Sequence, residues 1–178
     1  MPTSEEIRKL LKLQPNEQEG GYLAGTYESA IRIADASLPG FAATENGRPL
    51  CGAIYYFLDD AGFSAMHRVT GDMIYHFYDG DPVQMLLLYP DGFPNRTEVY
   101  IFSNDIAAGG NPMKIIPGGT WLGSRLTPGG KYALMGVTMA PGFNPIDYAI
   151  AERQELIKAY PEQKTLIESL TRQPVKQI

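Results

Sequence analysis

The sequence has few of the residues on which several common classes of site depend. Cys51 is the only cysteine among 178 residues, which excludes an internal disulfide framework and a cysteine-rich zinc site. His67 and His76 are the only two histidines, so any imidazole chemistry must use one of these side chains. The longest aliphatic run, residues 85–88, is far too short to cross a bilayer.

Positive charge is also scarce, and the chain carries a formal net charge of −5. A nucleic-acid backbone and an anionic membrane surface are therefore not expected partners. The first residues, MPTSEEIRKLLKL, lack the apolar core of a signal peptide, and we expect a cytoplasmic protein. With 44% apolar and 20% charged residues, residues 1–178 are expected to form one globular domain.

The pattern of turns and apolar residues predicts a β-rich region between two helical ends. Thr3 and Glu6 have the spacing of a capping box, which predicts a short helix within residues 1–14. Residues 20–141 are rich in Gly, Pro, Tyr, Phe, Val and Ile, with turn signals at intervals of about 8–12 residues. The predicted strands are 51–58, 63–69, 73–78, 83–89, 97–102, 114–116, 120–126 and 132–139. Such a series is typical of an antiparallel barrel or sandwich.

The C-terminal region has a helical pattern and predicts a flap over residues 145–172. Its two helices, over residues 151–160 and 162–170, are too short to fold alone, so we expect them to pack on the β-barrel. Asp147 stands before these helices and is interpreted as a helix cap. Residues 29–48 are the least regular segment and are predicted to form a surface loop.

Strand alternation predicts which side chains share a face with His67. Because positions two apart point to the same side of a strand, His67 and Val69 share one face. Met73, Tyr75 and Phe77 share a face of the next strand. If these faces line the barrel interior, His67 is the only ionisable group on an apolar and aromatic wall.

His76 falls on the opposite parity of its predicted strand. One interpretation makes it a partner of His67 in the pocket, which a β-bulge would permit. The other makes it a hydrogen-bonded residue between sheets or at a subunit contact.

Motifs along most of the chain resemble those of the cupins, small jelly-roll barrels with the pattern G-x5-H-x-H-x3-E-x6-G followed by G-x5-P-x-G-x2-H-x3-N. His67, Gly80 and the PGGTW segment that begins at Pro117 look like a degenerate copy of this pattern. More closely, the chain resembles an RmlC-like cupin family long classed as a domain of unknown function. The segments that carry the resemblance are EGGY, AIYYFL, FSAMHRV, IYHFYDGDP, LLLYPDG, IPGGTW, APGF and AYPE. The resemblance implies a mainly β fold, an antiparallel double-stranded β-helix with a ligand-sized cavity, usually paired as a homodimer.

The resemblance also locates the positions at which metal-binding cupins hold an ion with three imidazoles and a carboxylate. These positions are His67, Val69, Met73 and Leu122. Only His67 can ligate a hard divalent ion, because a thioether suits soft copper(I) and the two aliphatic side chains offer no donor. The nearer family has Glu in place of Met73 and Gln in place of Leu122, so the polar groups are lost while the volume is kept. We predict neither a metal nor another cofactor.

The remaining residues predict a mainly apolar pocket for a small molecule. The predicted catalytic residues are His67, Tyr75 and Glu19. Glu19 would orient His67 if the N-terminal strand lies over the barrel mouth, and is otherwise a solvated turn residue. The predicted ligand-binding residues are Tyr55 or its neighbour Tyr56, Met73, His76, Phe77, Thr120, Trp121 and Leu122.

Three functions remain open at this point. The first is a metal-independent isomerase, epimerase or lyase that acts on a sugar-like or other oxygenated molecule, with His67 as general base and Tyr75 or Tyr55 as acid, as RmlC-like epimerases imply. The second is a non-catalytic protein that binds a small apolar ligand. The third is a metal-dependent cupin enzyme. A homodimer is expected as well, because an open sheet edge must be paired or covered.

Overall fold

Two antiparallel β-sheets face each other in the computed structural model, which describes residues 2–172. Six strands form one sheet in the order β1-β2-β5-β12-β7-β10, five form the other in the order β13-β6-β11-β8-β9, and β3 pairs with β4. The strands are β1 (Gln14–Pro15), β2 (Tyr22–Glu28), β3 (Arg32–Ile33), β4 (Arg48–Pro49), β5 (Gly52–Asp59), β6 (Ser64–Val69), β7 (Asp72–Gly80), β8 (Val83–Leu88), β9 (Thr97–Phe102), β10 (Met113–Ile116), β11 (Trp121–Leu126), β12 (Tyr132–Ala140) and β13 (Tyr148–Ile150). The predicted mainly β jelly-roll fold is confirmed.

Burial on both faces explains the continuous apolar sequence of β8. Met85 and Leu87 lie in the core between the two sheets, whereas Leu86 and Leu88 lie in a second cluster with the C-terminal helices. A strand covered on both sides does not show the alternation of a half-exposed strand. The helices therefore complete the burial of the five-stranded sheet.

Three short helices cover the outer faces of the sheets: α1 (Ser4–Leu10), α2 (Arg153–Ala159) and α3 (Lys164–Ser169). The capping box predicted at Thr3 and Glu6 is present at the start of α1, and Ile7 packs with Phe57 outside the six-stranded sheet. None of the helices in residues 2–172 has the length and apolar character that crossing a bilayer requires.

The predicted helical flap begins differently from its sequence pattern. Residues Pro145–Asp147 form a single 3-10 turn, and β13 follows as an edge strand rather than a helix. β13 pairs with β6, with Tyr148 opposite Val69 and Ile150 opposite His67. This segment therefore contributes to the barrel wall, and only the residues after it form the helices.

A buried ion pair joins the irregular segment of residues 29–48 to the start of β13. The side chain of Arg48 is 0% exposed, and its Nε donates a hydrogen bond to Oδ2 of Asp147 at 2.6 Å. Its Nη1 donates to Oδ1 of Asp35, also at 2.6 Å. The interpretation of Asp147 as a helix cap is wrong, because Glu152 caps α2 and the Asp147 carboxylate neutralises a buried guanidinium.

Two of the four edge strands of these sheets, β9 and β10, expose apolar side chains. Ile101 on β9 and Ile115 on β10 are both exposed, and both strands stand at the end of their sheets. Uncovered edges of this kind favour association with another chain. Homodimerisation stays a prediction that this surface supports.

Removal of the buried guanidinium is the sharpest test of the fold. Arg48→Met leaves the Asp147 carboxylate buried without its counter-charge, and we expect the free energy of unfolding to fall by about 3 kcal/mol. Urea denaturation measures the change. Arg125→Met is the matched control, because Arg125 is half-buried and bonds Gln84 rather than a carboxylate, so a change of about 0.5 kcal/mol or less is expected. Equal losses of unfolding free energy in the two variants would contradict a large contribution of the ion pair to stability.

Candidate functional site

A cavity of about 270 Å³ lies between the two sheets and contains one of the two histidines. Most of its wall is apolar, with a few polar groups at one side. The lining residues are Asn16, Gln18, Glu19, Leu23, Ile54, Tyr56, His67, Val69, Met73, Tyr75, Val137, Met139, Phe143 and Tyr148. A mainly apolar wall with a few convergent polar groups is the usual form of a small-molecule site.

β6 places His67 in the cavity with its ring orientation determined by the backbone. The residue is 2% exposed, and its Nδ1 lies 2.8 Å from the carbonyl oxygen of Ala65. A carbonyl only accepts hydrogen bonds, so Nδ1 must carry the proton. In the neutral ring the basic lone pair is then on Nε2, which faces Glu19.

Glu19 is held beside His67 by neighbours on both its side chain and its backbone. Its Oε1 accepts a hydrogen bond from Oγ of Ser64 at 2.7 Å, and its carbonyl oxygen accepts one from N of Ala65 at 2.7 Å. Its Oε2 lies 3.7 Å from Nε2 of His67, too long for a good hydrogen bond but close enough for an ion pair. Glu19 is 7% exposed, so the structure places it in the cavity wall rather than in a solvated turn.

Three tyrosines face the same cavity, but one of them is already engaged. The hydroxyl of Tyr56 donates to the carbonyl oxygen of Gly20 at 2.8 Å. The ring of Tyr148 stacks on that of His67 with centroids 5.7 Å apart, and its buried hydroxyl has no hydrogen-bond partner among residues 2–172. Tyr75 and Tyr148 are therefore the phenols that can serve a ligand.

Burial and charge keep these phenols protonated. Burial raises the pKa of Tyr75 well above its usual value, and the negative charge of Glu19 raises it further. The same two causes raise the pKa of Tyr148. Both hydroxyls remain hydrogen-bond donors through the neutral and mildly alkaline range.

The structure brings together four of the residues that the sequence predicts for the site, namely Glu19, His67, Met73 and Tyr75. Tyr55 lies on the other face of β5, where it packs with the cluster around α1. Its neighbour Tyr56 lines the cavity instead. Strand alternation separates the two, and the sequence pattern did not distinguish which one points inward.

His76 lies on the outer face of the six-stranded sheet. Its ring stacks on that of Tyr78 with centroids 6.5 Å apart, and Tyr78 is exposed. No bulge reverses its parity at this point, so His76 is absent from the cavity wall. Of the two interpretations of His76, the structure places it away from His67.

The four remaining predicted ligand-binding residues lie outside the cavity wall. Phe77 and Leu122 are inside the barrel but are packed in its core, although Leu122 stands opposite His67 in the sheet register. Thr120 is buried before β11. Trp121 packs on the outside of the five-stranded sheet, with the guanidinium of Arg68 over its ring.

Tyr148 and Phe143 are cavity residues that the sequence reasoning missed. Both lie near the start of the predicted helical flap of residues 145–172. The prediction of a flap from residue 145 leaves no place for β13, which carries Tyr148. The available signal was the Tyr148–Ile150 tripeptide after a proline-containing turn, which is apolar and lacks the charge of the helices that follow.

Comparison with known proteins identifies the family. Residues 5–151 match the family described as Cupin superfamily (DUF985). The chain belongs to the cupin superfamily. No curated protein matches this cupin.

Solved structures resemble this cupin over almost its whole length. A protein of Shewanella oneidensis shares 26% identity with a TM-score of 0.82, covering 98% of this chain and 100% of its own. A hypothetical protein from Leishmania major shares 22% identity with a TM-score of 0.84, covering 97% of this chain and 100% of its own. Oxalate decarboxylase from Bacillus subtilis is more distant, with 11% identity, a TM-score of 0.51 and coverage of 89% of this chain and 37% of its own. The last two likenesses concern the fold alone.

The residues of this cupin do not fit the metal centre that the superfamily implies. Of the four implied ligand positions, His67 alone offers a donor suited to a hard divalent ion, and Met73 and Val69 present apolar groups to the cavity. Glu19 adds one carboxylate near His67, so the cavity offers two donors rather than the four of the superfamily's metal centre. No group of three His, Cys, Asp or Glu side chains suited to a metal occurs within residues 2–172.

The raised phenol pKa values predict a loss of stability at high pH. Above pH of about 10 the unfolded chain releases tyrosine protons that the folded chain retains, so the free energy of unfolding falls as pH rises. Tyr75→Phe removes one such phenol and should flatten the dependence by up to about 1.4 kcal/mol per pH unit. Chemical denaturation at a series of alkaline pH values measures this dependence of the free energy of unfolding on pH. Tyr78→Phe is the control for loss of an exposed phenol. An equal flattening of the pH dependence in this variant would contradict the raised pKa of Tyr75 as the cause.

The donor set also predicts that chelation has no effect. After treatment with excess EDTA and dialysis, we expect the melting temperature to change by less than about 1 °C, because two donors do not form a stable structural site. Elemental analysis of protein purified without chelator checks the same point. A stoichiometric transition metal, or a clear loss of thermal stability on chelation, would contradict this reading of the site.

Proposed function

We propose that this cupin catalyses metal-independent proton transfer on a small oxygenated molecule, as an isomerase, epimerase or lyase. The observation that carries the proposal is the orientation of His67. Ala65 holds the proton on Nδ1, so the free nitrogen of the neutral ring is Nε2 inside the cavity. An imidazole of this kind is a competent general base near neutral pH.

Glu19 supports the protonated state that the reaction would generate. When Nε2 of His67 takes a proton, the ring becomes an imidazolium 3.7 Å from Oε2 of Glu19. In a mostly apolar cavity this attraction is stronger than it would be in water. The carboxylate would therefore stabilise the intermediate in which His67 is charged, with Ser64 keeping it oriented.

Tyr75 and Tyr148 supply donors for the oxygen of the substrate. In the proposed step, His67 removes a proton from a carbon next to a carbonyl, the C–H electron pair forms a carbon–carbon double bond, and the carbonyl oxygen takes the negative charge. A phenol donates a hydrogen bond to that oxygen. For an isomer, the imidazolium delivers the proton to the neighbouring former carbonyl carbon of a hydroxycarbonyl substrate, while the hydroxyl proton passes to the other oxygen, and the neutral ring is regenerated. For an epimer, Tyr75 or Tyr148 protonates the opposite face of the original carbon, and the imidazolium proton then restores that phenol through solvent.

A non-catalytic binding protein is the second candidate, and the apolar wall favours it. Met73 and Val69 occupy positions where metal-binding members of the superfamily carry polar ligands, and both face the cavity. Such a wall suits binding of an apolar group without chemistry. The two candidates differ in whether exchange of a carbon-bound proton accompanies binding.

Exchange of carbon-bound hydrogen with solvent tests the first candidate. A panel of aldoses, ketoses and small hydroxyketones is incubated in D₂O, and proton NMR measures deuterium incorporation at carbon. His67→Gln removes the base, so we expect the exchange rate to fall at least about 100-fold. The melting temperature should change little, because the glutamine keeps a polar group in the cavity.

His76→Gln is the matched control, since it changes the other histidine of the chain in the same way outside the cavity. It should exchange within about twofold of the unmodified protein. Undiminished exchange in the His67 variant would overturn the assignment of the base. Binding of panel members by the unmodified protein with no exchange at all would favour the non-catalytic candidate.

A further inference from the structure

A second depression, a groove, lies beside the His67 cavity. This groove has a volume of about 480 Å³ and lies along the ends of β2 and β5. Four residues line both the groove and the cavity: Ile54, Val137, Met139 and Phe143. The groove therefore adjoins the cavity along these four side chains.

Gly25 keeps part of the groove open. Gly25 stands opposite Ile54 in the sheet register, and Ile54 lines the cavity, so the two positions share the inward face. A Cβ added at Gly25 would meet no atom within 4 Å. The absence of a side chain at Gly25 therefore leaves space at this position. Leu23, two residues earlier on the same strand, fills its own part of the wall.

The charges around this space disfavour an anionic ligand. Neither the cavity nor the groove is lined by a lysine or an arginine within residues 2–172. Two carboxylates are present: Glu19 is engaged with Ser64 and His67, and Glu28 faces solvent beside Arg32. A negatively charged group would meet repulsion from these carboxylates without a counter-charge.

We propose that the ligand is an elongated molecule without an anionic group, with an oxygenated head at His67 and a hydrocarbon tail in the groove beyond Phe143. The head is a hydroxyl or carbonyl group within reach of the Tyr148 hydroxyl. The tail lies along Ile54, Val137 and Met139. The position of the head rests on the proposed function, whereas the position of the tail rests on the groove alone.

A homologous series of alcohols tests the tail site. Binding of n-butanol, n-hexanol and n-octanol to the full chain is measured by calorimetry. Each added methylene that enters the groove should tighten binding about fourfold. Octanoate should bind at least about tenfold more weakly than n-octanol, because its carboxylate meets Glu19.

Gly25→Leu places a side chain in the groove without a strained backbone, since Gly25 does not have a positive φ. We expect this variant to bind n-octanol at least about tenfold more weakly and n-butanol within about twofold of the unmodified protein. Retained n-butanol binding also shows that the variant is folded. Gly62→Leu is the matched control, because Gly62 is exposed and likewise has open space around its Cβ position, and it should leave the whole series unchanged.

Affinity that does not rise with chain length, or octanoate binding as tightly as n-octanol, would overturn the proposal in the unmodified protein even if the Gly25 variant failed to fold. Unchanged n-octanol binding in Gly25→Leu would overturn it as well. Failure of the catalytic proposal gives a different result. The alcohols would then bind with the expected chain-length dependence in both the unmodified protein and His67→Gln, while neither protein exchanged carbon-bound hydrogen.

Discussion

The hydrogen bond between Nδ1 of His67 and the carbonyl oxygen of Ala65 determines what the cavity can do. The two residues lie two positions apart on β6, so the strand itself orients the ring. No charged side chain is needed for this orientation. Its consequence is that the ring presents Nε2 rather than Nδ1 to the cavity. In many sites a carboxylate performs this task; here the backbone performs it, and Glu19 remains available on the opposite side of the ring.

The carboxylate of Glu19 would be unfavourable in so apolar a place without compensation. Ser64 and Ala65, both on β6, hold its side chain and its backbone, so one strand positions both members of the histidine–glutamate pair. Met73 and Val69 add apolar groups to the cavity wall, and Nδ2 of Asn16 donates a further hydrogen bond to Oε2 of Glu19 at 3.4 Å. The cavity therefore combines a small polar group around His67 and Glu19 with a mainly apolar wall.

The sequence predicts the barrel well, because turn residues and strand alternation are local signals. It also predicts that His67, Met73 and Tyr75 face the cavity, since their parity follows from short strands. Tyr55 and Tyr56 could not be separated, because the register against β2 and β12 decides which one points inward. Tyr148 and the Arg48–Asp147 pair depend on contacts between segments far apart in the chain, and no local pattern encodes them.

The two ends of the chain meet at the cavity. Glu19 comes from the N-terminal segment, Tyr148 from a strand that precedes the last helices, and Nη1 of Arg172 donates to the carbonyl oxygen of Glu17 at 2.9 Å. Contacts of such long sequence separation form late, because the intervening chain must be ordered first. The wall around His67 is therefore complete only after the segments that carry Glu19 and Tyr148 have both packed against the barrel, so local unfolding of either segment opens the cavity.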